Sequence, residues 1–168
     1  FRKAADGQEP FPIKYQKFIV VAHSLGGAGV RASLVRLHEE CPRVFLRIIA
    51  CVFGAPAIFG SNLTNGKWRC RLFFEACALI KPVLNDLSCL NGNLEFLKAE
   101  YDRIKTKRPI TDYRWALYER IVTNPPLDFS PSPPDSQATE PYSHCDLVKP
   151  SDNRHPFYKA VREAISRK

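Results

Sequence analysis

The feature that most constrains the fold lies between Lys17 and Gly29, where an unbroken apolar run passes within a few residues into a cluster of glycines. Phe18-Ile19-Val20-Val21-Ala22 is rich in β-branched residues and does not alternate, the pattern of a strand buried on both faces of a parallel sheet. Beyond Gly26, Gly27 and Gly29, the residues Val30, Leu34, Leu37 and Cys41 fall at i, i+4, i+7 and i+11. That spacing predicts one apolar helix face, which Pro42 ends. A second apolar run, Val44 to Phe53, is stopped by Gly54-Ala55-Pro56 and reads as the next buried strand. Strand, helix and strand within about 40 residues make a βαβ unit, so an α/β fold with a right-handed crossover is expected.

The remaining elements are less sharply drawn. Trp68 to Lys107 reads as helical, with breaks near Pro82 and at Asn91-Gly92-Asn93, and Leu94, Leu97, Tyr101 and Ile104 form the apolar face of its last helix. Tyr113 to Tyr118 is strand-like and closed by Glu119. Six of the 14 prolines (Pro125, Pro126, Pro131, Pro133, Pro134, Pro141) crowd residues 125–141, which predicts an extended surface loop. A final helix is expected from about Pro156, with Val161 and Ile165 on its inner face. The opening residues 1–14 are polar and fit a loop or helix end.

Composition excludes several classes. With 168 residues and 45% hydrophobic content the chain can bury a real core, unlike a disordered tail or a disulfide-stapled miniprotein. Its longest nearly apolar stretch, Ile48 to Gly60, is interrupted by proline and glycine and falls short of the ~18–20 residues that span a bilayer. FRKAADGQEP carries no apolar signal segment. Phe at position 1 and the lack of Met suggest a fragment, a processed product or a trimmed chain. The six cysteines form no CxxC and no His-paired metal spacing, so neither metal nor cofactor is expected. Cysteines inside apolar runs suggest buried thiols and a reducing, cytoplasmic setting, against which stands one Asn62-Leu63-Thr64 sequon. Lys and Arg number 25 against 17 Asp and Glu, a net charge of +8. Its densest cluster, Asp102-Arg103-Ile104-Lys105-Thr106-Lys107-Arg108, holds four cations in seven residues and fits either an anionic partner such as a phospholipid surface or nucleic acid, or a solvated helix end. The helix end is preferred to an anionic partner because no interleaved aromatic-and-basic pattern accompanies the cluster.

Chemistry concentrates at Ala22-His23-Ser24-Leu25-Gly26, a G-x-S-x-G elbow with Ala in the first small position. A strand turning at once into a helix leaves Ser24 at the apex in a strained conformation, and larger flanking residues would collide. Such a pentapeptide arises by composition in about one chain in ten of this size. The buried strand before it and the amphipathic helix after it are what give it weight against an incidental serine in a tight βα turn. The helix N-terminus and the Leu25 N–H would face a developing oxyanion. Of the four histidines, His23 is expected to line the turn and His38 to be exposed. The order Ser, acid, His favours His144 as base, with His155 second; His155 precedes Pro156 and has the competing reading of a cap on the last helix.

KFIVVAHSLGG, IIACVFGAPAIFGS, ALYER and SHCDLVKPSDNRHPFY resemble segments of the α/β-hydrolase-fold serine esterases and lipase-like proteins, over residues 15–61 and 113–165. The resemblance implies an α/β-hydrolase-like three-layer fold with a mostly parallel sheet, seen here as the C-terminal part of a single domain, with a helical lid-like insertion at about 64–108. SHCDLVKPSD resembles the family's histidine loop and implies His144 as general base. Leu117-Tyr118-Glu119 resembles the position of its acid, which leaves Glu119 or, just beyond Ile121-Val122-Thr123, Asp128. A surface Glu119 paired with Arg114 or Arg120 is the competing reading. The Gly54-Ala55-Pro56-Ala57 loop departs from the family's Gly-Thr-Pro-His type. With only 17 residues ahead of the strand run, the resemblance leads us to expect that the family's upstream loop, which supplies a second oxyanion donor, is missing from this sequence. Leu72, Phe73, Phe74, Ala76, Leu79 and Ile80 would cover an acyl pocket as a lid or, by the preferred reading, join the core. The expected substrate is a small-molecule or lipid ester, met with transient contact to a membrane surface. The rival expectation is a non-catalytic α/β-hydrolase-like module serving regulation or protein interaction in a larger protein.

Overall fold

The computed structural model describes residues 16–59, 96–104, 107, 109–123, 125, 129–131 and 134–167. Within them β1 (Phe18–His23) runs into α1 (Leu25–Glu40), a short α2 (Pro42–Phe45) and β2 (Ile48–Gly54). Residues 96–103 are helical and precede β3 (Ile110–Tyr118) and β4 (Ser136–Ser143). A 3-10 turn at Asp146–Val148 leads to the last helix, α3 (Pro156–Ser166). The four strands form one all-parallel sheet in the order β1-β2-β3-β4. The chain therefore has the α/β architecture expected of its strand–helix–strand unit.

β2 shows why its sequence is apolar throughout. Alternate strand residues face opposite sides of a sheet. Cys51 and Phe53 pack with Leu34 of α1, Phe45, Tyr101, Tyr113 and Trp115. Ala50 and Val52 pack instead with Phe157, Ala160 and Ala164 of α3. Helices thus cover the sheet on both faces, and β2 has no polar side to show. On the α1 face the Arg31 guanidinium lies over the rings of Tyr101 (4.7 Å) and Tyr113 (5.4 Å) and donates to the Tyr113 hydroxyl at 2.8 Å.

Five expectations need correction. Val44 and Phe45 belong to α2, because Pro42 starts a new helical turn at its N-terminal position rather than only ending α1, and the strand begins at Ile48. β1 is not buried on both faces: Val21 stays 49% exposed at the end of the described sheet. His38 is half-buried, its ring edge-on to Phe45 at 5.1 Å. The proline-rich stretch is not loop to residue 141, since β4 pairs with β3 from Ser136 and includes Pro141. Its proline is tolerated on this last strand where the register slips between Ala116 and Tyr118, so the missing N–H interrupts no regular ladder. In α3 the buried face is Phe157, Ala160 and Ala164, while Ile165 is exposed. Tyr101 and Ile104 are buried as the helical spacing predicts. The rest of the expected lid-like insertion, with its apolar stripe, and residues 1–14 lie outside the described residues.

Candidate functional site

A single residue, Ser24, separates β1 from α1, and its backbone sits at φ 54°, ψ −127°. Side chains avoid this region because Cβ crowds the neighbouring peptide, at a cost of about 1–3 kcal/mol. The surroundings hold it there. Ser24 N–H donates to the Gly54 carbonyl (3.1 Å), continuing the β1–β2 ladder. Its own carbonyl accepts from Gly27 N–H (3.0 Å) and Ala57 N–H (2.9 Å). The Gly54–Ala57 loop is therefore a buttress beneath the serine. The two glycines that follow the serine differ in what they allow. A Cβ on Gly26 would stand 3.7 Å from the Ala22 Cβ, whereas one on Gly27 would stand 2.5 Å from the Pro56 Cβ. Of the pair, only Gly27 is sterically obligatory.

Glu119 directly follows β3 and His144 directly follows β4, so both emerge at the same carboxyl end of the parallel sheet as Ser24. The Glu119 side chain is 1% exposed. Its Oε1 accepts from the N–H groups of Arg120 (2.9 Å), Ile121 (2.7 Å) and Val122 (3.1 Å), and its Oε2 from His144 Nδ1 at 2.8 Å. Burial pushes the Glu119 carboxyl upward, but the His144 bond and the backbone donors outweigh it and hold the group below its ordinary value. An ionised carboxylate on Nδ1 fixes the His144 proton on that atom, which leaves Nε2 as the basic nitrogen.

The His144 loop is tied down from several sides. Leu147 is fully buried among Ala55, Ala57, Ala116 and Val122. Ser143 Oγ donates to Asp146 Oδ2. Val148 and Phe157 lie so close over Gly54 that any Cβ there would overlap them. His23, one residue before Ser24, donates from Nε2 to the His144 carbonyl (3.0 Å), and the two imidazole rings stand 4.5 Å apart. Burial, and then the neighbouring His144 ring, lower the His23 pKa, which favours its neutral form.

The structure therefore brings His144 and Glu119 into direct contact and joins them to Ser24 through His23. Among the described residues the Ser24 hydroxyl makes no hydrogen bond, and neither does the Leu25 N–H at the head of α1. His155, the second candidate base, is engaged elsewhere. Its Nδ1 accepts from Phe157 N–H (3.3 Å) and caps α3, with its ring 4.5 Å from Tyr142. Arg114 pairs with Asp112 (2.9 Å) and Glu140 (3.0 Å), not with Glu119. Asp128 lies outside the described residues. The residue that sequence reasoning missed is His23, whose contact crosses 121 positions of chain and leaves no local signal. Among the described residues no cluster of His, Cys, Asp or Glu is suited to a metal ion, and no helix is long and apolar enough to cross a membrane. In comparisons with known proteins, no family and no curated protein matches the chain.

Proposed function

We propose that the chain carries the catalytic part of an α/β-hydrolase-like serine hydrolase cleaving carboxylic esters, with small-molecule or lipid esters as substrates. The observation that supports this most is the strained Ser24 apex at the sheet end that also holds the buried His144–Glu119 pair. Strain kept at one half-buried serine, at the sheet end that also carries a base with an anionic orienting partner, has a clear chemical use. In this reading Ser24 Oγ attacks the ester carbonyl and its proton passes to His144 Nε2. Glu119 stabilises the resulting imidazolium, and the Leu25 N–H donates to the oxyanion. Collapse expels the alcohol, which takes the proton back from His144, and water repeats the sequence on the acyl-enzyme.

The second reading, a non-catalytic module, is favoured by the Ser24 hydroxyl having no hydrogen bond to His144. Hydrolysis of p-nitrophenyl esters of graded acyl length separates the two. The hydrolase reading expects turnover in the wild type that vanishes in Ser24→Ala. A folded wild type no faster than Ser24→Ala on every ester supports the module.

A further inference from the structure

A serine and a histidine that lie 120 positions apart in a chain need a physical tie if their side chains are to keep a working separation. Anchors around Leu147, Val148 and Asp146 fix the His144 loop to the Gly54–Ala57 buttress beneath the serine, to β2 and to itself. A direct tie runs through His23. It is bonded covalently to Ser24, donates from Nε2 to the main-chain carbonyl of His144 (3.0 Å), and lays its ring 4.5 Å from the His144 ring.

We propose that His23 is a positioning residue that sets the distance between the Ser24 hydroxyl and the His144 imidazole, its ring N–H fastening the base's main chain to the nucleophile's strand end. The inference rests on the reading of Ser24, His144 and Glu119 as one catalytic unit. Two properties of imidazole suit the position. Its donor reaches across the strand end to a neighbouring loop, and in the neutral form it places no positive charge beside the imidazolium that His144 becomes. Burial beside His144 favours that neutral form. The imidazole of His144 is thus restrained twice, at its main chain by His23 and at Nδ1 by the Glu119 carboxylate.

Two substitutions divide the roles of His23. His23→Gln keeps a neutral N–H donor at a similar reach without the ring, and His23→Phe keeps the ring without the donor. Two readouts apply to the full chain: the rate of labelling by a fluorophosphonate probe, and the proton-NMR signal of the His144 Nδ1–H, assigned by its loss in His144→Ala. His23→Phe is expected to slow labelling about tenfold and to speed solvent exchange of that proton about tenfold, the effect of one lost hydrogen bond. His23→Gln is expected to restore most of both at an unchanged melting temperature. Phe and Gln variants that both match the wild type, or are equally impaired, overturn the proposal. A wild type that the probe never labels counts against the hydrolase reading, and the lifetime of the Nδ1–H signal then decides the positioning role alone.

Discussion

Replacing Glu119 by Gln removes a charge and exchanges one acceptor for a donor with almost no change of shape. The three backbone N–H groups on Oε1 decide how the amide must sit. If the amide NH2 faced them, three acceptor bonds worth about 1 kcal/mol each would be lost and buried donors would oppose one another. The oxygen therefore stays on the backbone and the NH2 turns toward His144 Nδ1. Two donors cannot share that contact, so the imidazole moves its proton to Nε2 and can no longer accept one from Ser24. A wrong tautomer of this kind lowers a serine nucleophile's rate by about 10⁴. Stability should fall much less, by about 1.5–3 kcal/mol for one charge-assisted bond. That loss has a pH signature. The folded Glu119 carboxyl titrates below its reference of 4.5, so the ionised bond stabilises the fold above that value and the benefit fades as pH falls through the folded pKa. Fluorophosphonate labelling followed by intact mass, with urea unfolding at about pH 7 and about pH 3.5, on either side of the carboxylate range, measures both effects. A Glu119→Gln protein that labels at the wild-type rate, or a stability gap that widens in acid, rules out the tautomer and linkage arguments respectively.

Other substitutions probe the elbow and its supports. Ser24→Gly should abolish labelling yet raise stability by about 1 kcal/mol, because glycine accepts the positive φ without strain; thermal unfolding and labelling measured on one preparation check this. Gly27→Ala should cost about 1–3 kcal/mol through its overlap with Pro56, while Gly26→Ala, which meets Ala22 at ordinary contact distance, should be neutral or slightly stabilising in urea titrations. Gly54→Ala forces Val148 and Phe157 apart and should lower the melting temperature by about 4–8 °C while slowing labelling, since the displaced residues hold the His144 loop.

The sequence patterns that proved readable were those with strong local physics. The strand–turn–helix passage around Ser24 shows in an apolar run, small residues and a helical period, and the structure carries the strand and the helix there, with α1 starting at Leu25, ahead of the glycines, and ending at Glu40. β4 escaped notice because its residues, Ser136 to Ser143, are mostly polar and include Pro141. A strand that among the described residues pairs on one side and slips register at its proline needs few apolar residues. In α3 the small residues Ala160 and Ala164 carry the buried face beside Phe157, and their spacing is masked by the more conspicuous Val161 and Ile165. Pro42 was ambiguous for a different reason: a proline that ends one helix is equally suited to the first turn of another. Histidine assignment depended on contacts across the fold. For His155 the Pro156 that follows it points to a helix cap, the role it has in the structure, whereas nothing near His23 announces its bond to the His144 carbonyl.

Assignment of Ser24 as the nucleophile is tested most directly by treating the folded chain with a fluorophosphonate probe and locating the adduct by peptide mass mapping. One adduct is expected, on Ser24, formed quickly in the wild type and at least about a thousandfold more slowly in His144→Ala, the scale on which triad members act. Labelling spread over other serines, or an unlabelled wild type whose unfolding is cooperative, would mean that Ser24, His144 and Glu119 do not form a working nucleophile.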